Sequence, residues 1–287
     1  MRLEIRHLTL IQLHLGILLL GGTALFSRVI PLPALDITVW RSLFAALAIT
    51  LLLLATRSRI RLATGREYLL VIGLGLLFAV HWATYFHAMQ VSSVAVGIVA
   101  LFTFPVITVF LEPFFHGQRV RGADLLGAAA VVVGVYLIVP EFSLDNTVTQ
   151  GVLWGLLSAL MYALRNVIQR HHFYRYPGKV AMFYQVLVVL AVTAPFLSPA
   201  SFHGEVDVWL LLVLLGVVFT ALPHTLFANA LRHHSAVSVS LINCLQVVYA
   251  TVLAAVVLSE LPGSSTIVGG ALIVAAAAFE SVRSAKR

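Results

Sequence analysis

The chain has one cysteine, Cys244, in 287 residues, so it cannot form an internal disulfide. Charge is scarce too. Asp, Glu, Lys and Arg together make up 10% of the residues, and the acids number 11 against 18 bases. With 61% hydrophobic residues and a mean hydropathy of +1.02, this composition leaves no room for a soluble domain. Several chemical signatures are missing as well. There is no His-Glu-x-x-His zinc motif, no Gly-x-Ser-x-Gly nucleophile elbow and no pair of carboxylates within an apolar run, which argues against an intramembrane enzyme. Without a phosphate-binding Gly-rich loop, ATP does not drive the protein directly. No cofactor and no metal are expected. The pairs His171-His172 and His233-His234 are poor chelators, because adjacent helical positions point about 100° apart.

What the chain has is apolar runs. Ten of them lie at about 9–27, 35–55, 67–87, 91–112, 123–140, 150–169, 179–198, 207–229, 236–258 and 265–282. A membrane-spanning helix needs ~20 residues, so ten helices take roughly 200 positions and leave about nine per connection. The formal charge of +7 suggests nucleic acid only until its distribution is seen. Sixteen of the eighteen bases lie in or beside every second gap, or at the termini, and Arg28 and Arg41 are the exceptions. Cytoplasmic loops retain Lys and Arg. The pattern therefore predicts a ten-span protein of the cytoplasmic (inner) membrane with both termini cytoplasmic, embedded in the lipid bilayer and not bound to nucleic acid. The first run, preceded by Arg2 and Arg6, continues past Leu20 and reads as a first span and not a cleaved signal.

Shifted by 142 residues, the halves fall into register. Both show a short third-to-fourth connection, then a turn, then a helix of small residues: Gly127-Ala128-Ala129-Ala130 against Gly269-Gly270-Ala271. Equivalent loops carry opposite charge bias, as Arg119 and Arg121 face a base-free stretch around Glu260. Five spans per half is odd, so the second half inserts upside down. The expected fold is all-α: two inverted five-helix repeats, 9–140 and 150–282, around a central cavity. Inverted repeats of this kind mark secondary transporters, with substrate near the midplane at the repeat interface.

Three stretches resemble the drug/metabolite transporter superfamily, specifically its ten-helix EamA-type members. They are Val39-Trp40-Arg41-Ser42-Leu43-Phe44-Ala45-Ala46-Leu47, Gly155 through Val167, and Val256-Val257-Leu258-Ser259-Glu260-Leu261-Pro262. The first repeat departs from the last pattern, with Gln118 where the second has Glu260. The resemblance implies that spans 1, 3, 4, 6, 8 and 9 line the cavity while spans 5 and 10 sit to one side. It also implies transport of a small metabolite, an amino acid or related compound, in the outward direction. A flippase for lipids or lipid-linked sugars is the alternative.

A charged group at mid-bilayer costs ~2.5–3.5 kcal/mol on insertion scales, so polar residues within spans need partners or a wet cavity. His81, Thr84 and Tyr85 share one face of the third span, beside Trp82. Tyr162, Arg165, Asn166 and Gln169 form a polar stripe on the sixth, and Asn243 and Gln246 share a face of the ninth. In the eighth, Pro223 precedes His224 and leaves the Phe219 carbonyl without its helical partner. Pro105 is a second candidate break. His81, Trp82, Tyr85, Tyr162, Asn166, His224, Asn243 and Gln246 are the cavity candidates, against the alternative of interhelical hydrogen bonding. Glu112, His81 and His224 are the candidates for ion coupling. Arg41 is expected to pair with Asp36, or else to draw an anionic group into the cavity.

Overall fold

A computed structural model describes residues 2–116, 122–139, 143–173, 175–230 and 236–284. Thirteen α-helices run through them. The first half holds α1 (Arg2–Thr23), a short α2 (Phe26–Val29), α3 (Ala34–Ala55), α4 (Gly65–Val91), α5 (Val94–Leu101), α6 (Phe104–His116) and α7 (Gly122–Ile138). The second holds α8 (Thr147–His172), α9 (Gly178–Thr193), α10 (Val206–Gly216), α11 (Leu222–Ala230), α12 (Ala236–Leu258) and α13 (Ser264–Ser284). Six helical stretches are long and apolar enough to cross a bilayer, and four more are apolar and shorter. Together they are the ten spans of a multi-pass membrane protein. The count of thirteen arises because α2 is a turn after the first span and two spans are broken: α5 and α6 make the fourth, α10 and α11 the eighth.

Local sequence explains the ends. Thr64 and Glu67 form a reciprocal capping box at the start of α4, with Thr64 N–H on Glu67 Oε2 at 2.9 Å. The pattern Thr-x-x-Glu is visible in the sequence and starts the third span two residues before the expected 67. Asn146 caps α8 through Val148 N–H (2.9 Å), and Ser93 caps α5 through Val96 N–H (3.1 Å). Prolines 33 and 177 precede α3 and α9. Lipid-facing apolar side chains such as Leu51, Leu69, Leu126 and Val256 are exposed, as an amphiphile surrounded by acyl chains requires.

Spans 5 and 10, α7 and α13, pack on each other away from the cavity. A Cβ on Gly269 would stand 2.5 Å from the Gly134 carbonyl, and one on Gly134 would stand 2.9 Å from the Gly269 carbonyl. Only glycine allows this backbone-to-backbone approach, as is usual where helices associate in lipid.

Polar ties cross between the halves at both ends. At the arginine-rich end, Tyr176 OH donates to Glu67 Oε2 (2.7 Å) and accepts from Ala63 N–H (2.8 Å), and Arg175 pairs with Glu67 at 2.7 Å. At the other end, Glu260 Oε1 accepts the Val94 N–H at 2.6 Å, placing a carboxylate on the N-terminus of α5. Arg28 lies 3.6 Å from the same carboxylate and donates to the Gln90 carbonyl at 3.1 Å. Gln90 in turn donates to the Ser27 and Leu32 carbonyls at 3.2 and 2.8 Å.

Candidate functional site

The helices enclose a cavity of about 40 Å³, room for a few waters. Its wall draws on both halves. From the first come Leu20 and Thr23 on α1, Arg41 on α3, and His81, Trp82 and Tyr85 on α4. Leu101, Phe102 and Phe104 add the broken part of the fourth span. The second half supplies Tyr162 on α8, His224 on α11, and Asn243 and Gln246 on α12. Spans 1, 3, 4, 6, 8 and 9 thus line it, and span 2 adds Arg41.

Aromatic stacking sets the geometry of the wall. The His81 ring lies nearly parallel to Tyr162 (centroids 4.6 Å, 25°) and Phe78 (5.7 Å, 8°), with Tyr85 at 6.0 Å. His224 meets Phe78 edge-on at 5.8 Å and Trp82 at 6.3 Å. Both histidines therefore contact the Phe78 ring of α4. Ser158 fixes the His81 tautomer. Its hydroxyl donates to the His81 carbonyl at 3.0 Å, which uses its only proton. The 2.7 Å contact between Ser158 Oγ and His81 Nδ1 must then carry the histidine's proton, as must the 3.2 Å contact to the Ser158 carbonyl. Nε2 is left as the acceptor for any further partner.

The two span breaks both border this cavity. Pro105 supplies no N–H, and the chain between α5 and α6 turns through Phe102 and Thr103. In the eighth span, Val217–Ala221 is a π-helical turn directly before Pro223. The Phe219 carbonyl accepts the Thr23 hydroxyl at 2.9 Å, so α1 takes up the bond that Pro223 cannot make. The wide turn also brings Thr220 Oγ1 to Arg41, with Nε at 3.2 Å and Nη2 at 2.9 Å, while Thr220 donates to the Leu215 carbonyl at 2.8 Å. π-bulges are frequent at functional sites.

Other candidates sit elsewhere. Asn166 does not line the cavity: its Oδ1 accepts from Arg165 Nη1 at 2.8 Å. Arg165 Nε donates to Gln185 at 2.8 Å, and Gln185 donates to Gln169 at 2.9 Å. The lower part of the α8 stripe is thus a network with α9. Thr84 turns back to its own helix, on the Val80 carbonyl at 2.7 Å. The expected Arg41–Asp36 pair does not form. Asp36 accepts from the Ser198 N–H at 3.1 Å and from the Ser198 hydroxyl, while Arg41 lies over Trp82 and Phe86, 4.0 and 5.0 Å from their ring centres. Glu112 is on α6, but its side chain lies outside the described residues, as do His233 and His234.

Known proteins share this architecture. A solved crystal structure, 21% identical and covering 96% of each chain, superposes with a TM-score of 0.68 and so has the same fold. The pseudopaline exporter CntI of Pseudomonas aeruginosa is 29% identical over 255 residues, 85% of each chain. An uncharacterized transporter of Archaeoglobus fulgidus is 25% identical over 91% of this chain and 92% of its own. A third, the uncharacterized transporter YxxF of Bacillus subtilis, is 24% identical over 95% of this chain and 89% of its own. The EamA-like transporter family matches residues 7–139 and again 149–281. With two matched stretches that start 142 residues apart and a shared cavity between them, this chain belongs to the EamA-like transporter family.

Proposed function

We propose that the protein is a secondary transporter that moves a small metabolite outward across the cytoplasmic membrane by alternating access, with both termini cytoplasmic. The observation that carries this reading is the cavity itself: a polar and aromatic space near the middle of α4 and α8, built from both halves of the chain. At about 40 Å³ it is too small for a metabolite as it stands, so a solute enters only if the halves move apart. The ties between halves lie at the two ends, where they can open in turn. The exporter among the relatives supports the outward direction.

His81, Trp82, Tyr85, Tyr162, His224, Asn243 and Gln246 are the proposed solute wall. His81 and His224 are the titratable groups within it besides the two tyrosines and Arg41. The test is reconstitution of the full chain into liposomes loaded with a small-molecule extract of bacterial cytosol. Release of particular compounds above protein-free liposomes is the expected result, and no selective release refutes the proposal. A tag after Asp145 reached only from the cytoplasmic side of cells would overturn the orientation.

A further inference from the structure

The cavity wall contains a full positive charge and, among the described residues, no acid. Arg41 is 2% exposed. Its neighbours are a hydroxyl and two ring faces, all neutral: Thr220 Oγ1, Trp82 and Phe86. The acid nearest in sequence, Asp36, is bound to Ser198. A buried charge without a counter-charge is unfavourable unless water or a ligand supplies one. The two bonds to Thr220 use two of a guanidinium's five N–H groups, leaving three for a ligand.

A second observation is independent of the first. The Tyr85 hydroxyl is buried and has no hydrogen-bond partner. It borders the same cavity as the Arg41 guanidinium. A buried hydroxyl is seldom left unpaired unless water or a ligand binds there.

We infer that the transported solute carries a carboxylate, and that Arg41 and the Tyr85 hydroxyl hold it. The two side chains reach the cavity from α3 and α4 and supply N–H and O–H donors to one oxyanion. One cation balances one negative charge. A phosphate monoester, which approaches two charges at neutral pH, is left with an excess and is excluded by the same wall. Trp82, with its ring centre 4.0 Å from the guanidinium carbon, holds the cation at the cavity wall by a cation–π contact.

This inference rests on the transport reading, and one assay separates the two. Liposomes containing the parent chain, Arg41→Gln or Arg41→Lys are loaded with cytosolic extract, and the released compounds are identified by mass spectrometry. Release by the parent should be dominated by carboxylates, with phosphate monoesters retained. The best-released carboxylate should outpace its own amide, loaded at equal concentration, by at least tenfold. Arg41→Gln, checked for a monodisperse folded state, should release it at least tenfold more slowly, and Arg41→Lys should fall between. Selective release of neutral, cationic or phosphorylated compounds by the parent overturns the inference while leaving transport intact. So does an Arg41→Gln protein that releases carboxylates at the parental rate. If Arg41→Gln does not fold, the carboxylate-against-amide comparison in the parent decides alone. A parent that releases nothing selectively refutes transport and this inference together.

Discussion

Replacing Tyr85 with phenylalanine should make the protein more stable and a poorer transporter. The ring stays: its near-parallel contact with His81 (6.0 Å, 14°) and its edge contact with Phe86 (6.0 Å, 81°) do not involve the oxygen. Only the hydroxyl goes, and that hydroxyl is a buried polar group without a partner. An unsatisfied buried group costs about 1–3 kcal/mol, and removing it returns that amount to the folded state. By the scaling of soluble proteins, each kcal/mol raises the melting midpoint by about 2–4 °C for a chain of this order of size. Function moves the other way. A hydrogen bond to a charged group contributes about 1.5–3 kcal/mol, and 1.4 kcal/mol is a factor of ten, so release should slow by roughly tenfold or more. The assay pairs thermal unfolding of the purified variant, followed by tryptophan fluorescence, with release from liposomes at matched protein. A packing role for Tyr85 lowers both quantities together. A Tyr85→Phe protein that melts below the parent, or that transports at the parental rate, refutes the reasoning, because the hydroxyl would then have a structural partner or no solute contact.

Two further substitutions separate the wall from its supports. Ser158→Ala removes the partner that fixes His81 Nδ1 (2.7 Å); stability should fall by about 1–2 kcal/mol, and release should fall with it as the ring loses its tautomer and orientation. Unchanged release would show that the orientation of His81 is irrelevant to the solute. Gly269→Ala places a Cβ 2.5 Å from the Gly134 carbonyl, and the overpacking should cost about 1–3 kcal/mol. Release per folded molecule should stay at the parental level, because α7 and α13 do not border the cavity; a specific loss of release would tie this helix pair to the transport cycle.

The ten spans were legible because each rests on about twenty apolar residues. The cavity wall was legible to the extent that polar residues repeat on one helical face. His81 and Tyr85 on the third span, Asn243 and Gln246 on the ninth, and Tyr162 on the sixth do meet. Asn166 stands one turn from Tyr162 on the same stripe, yet it leaves the wall because it accepts from Arg165, which in turn reaches Gln185 of α9. Which neighbour covers a stripe is a tertiary fact that helical periodicity does not contain. The Arg41–Asp36 pairing was avoidable. Residues five apart on a helix are about 140° out of phase, and side chains meet at three or four. That spacing alone points Asp36 away from Arg41.

Arg41 also explains why the eighth span is irregular. A continuous α-helix through Thr220 would bond it within its own turn, and Pro223 by itself only removes a donor for the Phe219 carbonyl. The π turn at Val217–Ala221 adds a residue to the turn, so the Thr220 hydroxyl bonds five residues back, to Leu215, while still accepting from Arg41. Thr23 on α1 closes the gap left at Phe219. Two elements of the first half, α1 and α3, thereby hold the π turn of the eighth span by side-chain hydrogen bonds. Pro223 frees the carbonyl that α1 uses, and the π turn sets the hydroxyl that α3 uses. The irregularity is therefore part of how the guanidinium is held at the cavity wall, neutral on its protein side and unbalanced on the side where a solute would sit.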